Sequence, residues 1–192
     1  FPKVPENNYD WIILNLPRQK ALLRMMLDCA AVSLADDGIL WLAGENKAGI
    51  KSADKLLKSR FGQVRKLDNA RHCGLFEAGA VRKQASFDPL PYRQQWKLNC
   101  PGGDIDVFSY PGVFAHGRMD AGSALLLEAL AELELDGDVL DFACGAGVIG
   151  ACIASRKTCS SITLLDNNAL ALLACQETFA LNHLNGSLLA SD

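Results

Sequence analysis

The sequence predicts an α/β protein of two tandem units built on doubly wound sheets and joined by a hairpin-rich connector. Three observations predict it. Short apolar runs alternate with stretches whose apolar residues recur at helical spacing. Proline and glycine gather between Ser86 and Gly112, at Pro89, Pro91, Pro101, Gly102, Gly103, Pro111 and Gly112. The charge changes sign across the same stretch.

The apolar run Trp11–Leu16 ends at Pro17 and reads as a strand. Residues 18–34 follow with Leu22, Leu23, Met26, Leu27, Ala30, Ala31 and Leu34 on one helical face. Asp36-Asp37-Gly38 reads as a turn, Ile39–Ala43 as a buried strand and Ser52–Phe61 as a second helix. Strand-like stretches at 63–68 and 73–81 complete a β-α-β-α-β-β order. In the connector, Trp96–Asn99 and Asp104–Phe108 alternate polar and apolar residues, as a hairpin does. Beyond it the pattern predicts a helix at 121–133, strand 138–142, helix 148–156, strand 161–165 and helix 168–182. Ser187–Asp192 reads as a strand just ending. Strands alternating with helices in this way imply a parallel sheet.

Composition bounds the function. The 192 residues are 49% apolar and 21% charged, which suits a packed core and excludes a disordered or collagen-like chain. Charges interrupt every apolar stretch well short of a membrane span. Seven cysteines, at 29, 73, 100, 144, 152, 159 and 175, include no Cys-x-x-Cys pair, so buried thiols in a reducing cytosol are expected and no metal centre. His72 and His183 have no partners at metal spacing. The Phe-Pro-Lys-Val-Pro start resembles no signal peptide. It leads to the expectation that the chain begins inside a longer sequence.

The net charge of −3 is a cancellation. Residues 1–100 carry 16 Lys and Arg against 10 acids, whereas residues 101–192 carry 3 against 12. In the basic half Lys47, Lys51, Lys55 and Lys58 recur at helical spacing, which a solvated helix face or a phosphate-contacting surface would both explain.

Val139–Gly150 carries the most chemical information. An apolar strand ends at Asp141, and a small-residue loop, Ala143-Cys144-Gly145-Ala146-Gly147, feeds a helix. Glycines there let the backbone approach a ligand and aim helix N–H groups at it. Gly145, Gly147 and Gly150 match the dinucleotide spacing, a weak signal alone. Asp141 argues against an anionic pyrophosphate and for a ligand with a cationic end. Asp166, nineteen residues after Gly147 at the end of the next strand, stands where a carboxylate accepts ribose hydroxyls, with Asn167 beside it. Asp192 closes the following strand, where it either reads an adenine amine or is an ordinary strand-end acid.

These residues resemble the class I S-adenosyl-L-methionine-dependent methyltransferases, and more narrowly the RsmC-type rRNA guanine-N2 methyltransferases. The resemblance is carried by Gly44–Gly49, Ala70–Phe76, Tyr110–Phe114, Met119–Ser123 and Val139–Gly150. It implies a Rossmann-like fold, S-adenosyl-L-methionine as cofactor, ribosomal RNA or the small ribosomal subunit as partner and a cytoplasmic location. It also implies that residues 1–85 are the C-terminal half of a degenerate methyltransferase-like domain, 86–110 a connector, and 111–192 the N-terminal part of the catalytic domain. Asp120 and Ser123 lie near the cofactor by resemblance; a plain helix N-cap at Asp120 is the alternative. Ala143 replaces a family glycine. Ala115-His-Gly-Arg118 departs from the family's Ser-Arg-Asp-Gly.

The family's catalytic Asn-Pro-Pro-Phe-like motif does not follow Asp166 in this sequence. No catalytic residue is assigned, and the expectation is a fragment, cut at both ends, that binds cofactor weakly without transferring methyl groups. Asn15-Leu-Pro-Arg18 resembles an eroded copy of that motif. Were it functional, the chain would be a permuted nucleic-acid amino-methyltransferase with Asn15 and Pro17 catalytic. A nonenzymatic RNA-binding or assembly module is the alternative from another class, and a nicotinamide-dependent reductase comes last. Two half-sheets in one chain also raise the expectation of a single permuted sheet.

Overall fold

The computed structural model describes residues 9–82 and 86–191. Asp192 lies outside the described residues. The chain divides into two compact units between Tyr92 and Arg93.

The first unit holds β1 (Tyr9–Asn15), α1 (Lys20–Ser33), β2 (Leu34–Glu45), α2 (Ala53–Lys58), β3 (Phe61–Asp68) and β4 (Cys73–Val81). Its sheet runs β1-β2-β4-β3, with β1 and β2 parallel and the other pairs antiparallel. Helix α1 is the crossover between the parallel strands. Its apolar stripe buries Leu23, Leu27, Ala30 and Ala31 in a core with Leu40, Leu42, Phe61 and Phe76. Leu27 is fully buried, so truncation to alanine costs about 2 to 5 kcal/mol. An Arg60–Asp28 ion pair ties the segment after α2 to α1.

Two local expectations are corrected here. Asp36-Asp37-Gly38 is an irregularity within β2 instead of a separate turn: Tyr9 pairs with Leu34 but Trp11 with Ile39, so the intervening residues bulge out of the ladder. The helix expected over 52–61 spans only Ala53–Lys58, because Phe61, a buried core residue, already opens β3 and pairs with Val81, leaving Ser59 and Arg60 to turn the chain.

The second unit begins with the antiparallel hairpin β5 (Gln94–Leu98) and β6 (Ile105–Ser109), in which Trp96 faces Val107 across the ladder. Helix α3 (Ala121–Ala131) precedes β7 (Asp138–Phe142), α4 (Val148–Arg156), β8 (Ser161–Asp166), α5 (Ala169–Leu181) and β9 (Ser187–Ala190). The three strands β7-β8-β9 are all parallel, as two helical crossovers require. Helix α5 grips the hairpin. Asn182 accepts from the Asp106 N–H at 2.9 Å and donates to its carbonyl at 2.7 Å, standing in for a neighbouring strand, and Thr178 accepts from the Phe108 N–H at 3.0 Å.

The strands sort into three distinct sheets, so the single permuted sheet does not form. β1 and β7 are edge strands that expose Trp11, Ile13, Leu140 and Phe142. The expectation of thiols only is corrected as well. Cys100, in the hairpin turn, and Cys152, on α4, form a disulfide with Cα atoms 5.6 Å apart. The other five cysteines are free.

Candidate cofactor cleft

The loop after β7 is shaped by its own hydrogen bonds. The Cys144 N–H donates to the Leu165 carbonyl at 2.9 Å, and the Gly147 N–H donates back to the Cys144 carbonyl at 2.8 Å. Gly145 and Gly147 are both left-handed, at φ 56° and 77°, and a Cβ on Gly147 would lie 2.6 Å from the Cys175 sulfur. Gly150 serves packing: a Cβ there would meet Leu164 at 2.4 Å, so its absence lets α4 lie close on the sheet. Ala143 is left-handed too, at φ 60°, a conformation that suits the glycine it replaces.

The two strand-end acids brace this loop. Asp141 Oδ2 accepts the Gly150 N–H at 2.9 Å. Asp166 Oδ2 accepts the Gly145 N–H at 2.9 Å, and its Oδ1 accepts the Asn168 N–H at 2.8 Å. Burial pushes the Asp141 carboxyl above its ordinary range; the Gly150 N–H opposes that shift and the Asp166 charge adds to it. A cationic group beside Asp141 would relieve the penalty.

A narrow cleft of about 70 Å³ opens over the loop, lined by Asp141, Ala143–Ala146, Val148 and Ile149, and walled opposite by Trp96, Ser109, Arg118, Met119, Asp120 and Ser123. Asp120 also caps α3, accepting from Gly122 and Ser123 N–H at 2.9 and 3.0 Å. The Ser123 hydrogen bonds, first among several, hold its carboxyl below the usual range. Asp120 is thus the N-cap of α3 and also lines the cleft. The segment leading to it is pinned by Ser109, whose Oγ accepts the Gly117 N–H at 2.9 Å and bonds His116 Nδ1 at 2.9 Å. Tyr110, fully buried, donates to Glu177 at 3.0 Å.

The structure brings together Asp141, Ala143, Cys144, Gly145, Ala146, Asp120 and Ser123 at the cleft. Gly147 shapes the loop from a buried position, Asp166 braces it from β8, and Asn167 is exposed beside Asp166. Trp96, Arg118 and Met119 were not anticipated as cleft walls from the residues alone. Lys47, Lys51, Lys55 and Lys58 belong to the first unit and are all exposed, but Lys47 lies in the turn after β2 and Lys51 in the 3₁₀ turn, so they do not share one helix face. Lys58 pairs with Asp54 at 2.8 Å. Asn15 ends β1, paired with Ala43. Among the described residues no group of three or more His, Cys, Asp or Glu could hold a metal ion. No described helix is long and apolar enough to cross a membrane.

Residues 2–96 match the profile of the methyltransferase small domain N-terminal family, and residues 104–192 that of the methyltransferase small domain. The ribosomal RNA small subunit methyltransferase C of Pseudomonas entomophila is 44% identical over 190 residues, covering 98% of this chain and 56% of that protein. Its counterpart in Shewanella amazonensis is 38% identical over 187 residues, covering 97% and 54%. The chain is homologous to the RsmC-type methyltransferases over nearly its whole length.

Among solved structures, the T. thermophilus 16S rRNA N2 methyltransferase (RsmC) in complex with AdoMet and guanosine superposes with a TM-score of 0.85 at 25% identity, covering 98% of this chain and 52% of that one. The chain thus spans about half the length of the RsmC-type relatives it matches. The RsmC-type order, N-terminal domain before methyltransferase small domain, runs through the chain without permutation.

Proposed function

We propose that this chain carries the cofactor-binding part of an S-adenosylmethionine-dependent enzyme that methylates the exocyclic N2 of a guanine in small-subunit (16S) rRNA, in the cytoplasm. The observation that carries the reading is the glycine loop held between Asp141 and Asp166, in a chain whose relatives are named ribosomal RNA small subunit methyltransferase C.

The residues fit the cofactor. Asp141, desolvated and short of a cation, faces the ammonium and sulfonium end. The loop backbone from Ala143 to Gly147 lies along the ligand, and a Cβ on Gly145 would meet nothing within 4 Å, so space remains at that point of the loop. Asp166 and the neighbouring Asn167 take the ribose hydroxyls, since each Asp166 oxygen keeps a lone pair beyond its one backbone hydrogen bond. Asp192 reads the adenine amine. Asp120 and Ser123 close the cleft near the reacting end. When bound, the cofactor supplies a methyl group on a positively charged sulfur, which a neutral amine attacks without a covalent enzyme intermediate. Lys47, Lys51, Lys55 and Lys58 supply salt-sensitive contacts to the rRNA backbone.

The test is an N2-methylguanosine map of 16S rRNA from the source cell and from the same cell lacking the gene for this chain. Loss of one modified guanine is expected. An unchanged map overturns the proposal.

A further inference from the structure

We infer that Trp96 is the carboxylate anchor of the cofactor site: its indole N–H donates to the carboxylate of the amino acid portion of S-adenosylmethionine. The inference rests on the cofactor reading above and adds to it a residue from the β5–β6 hairpin, outside the glycine loop and its acids.

Trp96 lines the cleft, its indole nitrogen is buried, and that nitrogen has no hydrogen-bond partner. An indole N–H is a donor only, and a buried donor left unpaired costs about 1 to 3 kcal/mol. Trp41 shows the contrast, because its indole N–H donates to Glu77 at 3.0 Å. The carboxylates of the same cleft are bonded to backbone rather than to this indole: both Asp120 oxygens accept backbone N–H groups of α3, and Asp141 Oδ2 accepts Gly150. Arg118 is the cationic residue of the lining, and its charge is the smallest of the influences on the Asp120 carboxyl.

An α-amino acid end has one cationic and one anionic group. The cleft offers carboxylates for the first, and Trp96 offers the donor that lacks an acceptor for the second. A carboxylate oxygen makes a charge-assisted hydrogen bond with such a donor, stronger than a neutral one. The cleft is narrower than the ~300 to 1,000 Å³ usual for ligand sites. Phe114, an exposed aromatic side chain, also lines it.

The experiment compares two ligands that share the thioadenosine group but differ in the amino acid portion: S-adenosylhomocysteine, which has it, and 5′-methylthioadenosine, which lacks it. Calorimetry on the 192-residue chain and its Trp96→Phe variant should show S-adenosylhomocysteine weakened about tenfold or more, with methylthioadenosine changed less than about twofold. A second readout needs no variant to fold. The chain has three tryptophans, at 11, 41 and 96, and in a nitrogen-15 spectrum the Trp96 indole N–H should move downfield with S-adenosylhomocysteine and stay in place with methylthioadenosine. Equal losses or equal shifts with both ligands, or none with either when both bind, overturn the role of Trp96 and leave the cofactor reading intact. If the wild-type chain binds neither ligand, the cofactor reading falls and this inference with it.

Discussion

Asp141 Oδ2 accepts the Gly150 N–H at 2.9 Å, so the acid next to the end of β7 is fastened to the first turn of α4 across the whole glycine loop. The bond opposes the desolvation of the carboxylate without cancelling it, and the folded carboxyl titrates above its ordinary range. An acid with a raised folded pKa holds its proton more tightly in the folded state. Its contribution to stability is therefore fully present below the ordinary carboxylate range and is lost as pH rises through the raised titration. Asp141→Asn keeps an acceptor for Gly150 and removes the charge. Thermal melts between about pH 4 and pH 8 should show the variant at least as stable as wild type at neutral pH, with a flatter profile.

Ala143 sits at φ 60°, where a Cβ is strained. Ala143→Gly should stabilise the chain by about 1 to 2 kcal/mol, raising the melting temperature by a few degrees, less the entropy glycine adds to the unfolded chain. Ala143→Val should lower it. Differential scanning calorimetry decides between these signs and an indifferent loop.

The disulfide gives a direct count. Thiol titration of the denatured protein should find five thiols without reductant and seven with it. Closing a loop of 52 residues makes the bridge worth about 2 to 4 kcal/mol, so Cys100→Ser should unfold at correspondingly lower denaturant concentration.

The four lysines are exposed but lie on different local elements, and Lys58 is paired with Asp54. Replacing Lys47, Lys51, Lys55 and Lys58 with glutamine should weaken binding to 16S rRNA evenly across sequences. The slope of log affinity against log salt should fall by about 0.7 to 0.9 per lost phosphate contact. A filter-binding salt titration measures both.

Where neighbouring residues decide the backbone, the sequence was readable. The strand at 138–142 and the helix at 148–156 fall where predicted, because a strand ending in Asp141, a glycine turn and an apolar stripe are all local signals. The helix read over Ser52–Phe61 ends early at Lys58, because Phe61 is claimed by β3 through its pairing with Val81, a contact distant in sequence; Gly49 and the 3₁₀ turn keep Lys47 and Lys51 off that helix. Asp36-Asp37-Gly38 has turn chemistry and makes a bulge, because β1 and β2 pair on both sides of it. Distance along the chain hid the rest. Cys100 and Cys152 show no motif spacing and meet only through packing of the hairpin turn against α4. Trp96 reads in the sequence as one residue of an alternating hairpin strand; its unpaired N–H shows only where the hairpin meets the cleft wall.

The central claim is that the loop between Asp141 and Asp166 binds S-adenosylmethionine. It is tested most directly by calorimetric titration of the 192-residue chain with the cofactor, beside Asp141→Asn. The account predicts one site in the wild type and an affinity at least about tenfold lower in the variant. A wild-type chain that gives no binding, or a variant that binds equally well, would contradict it.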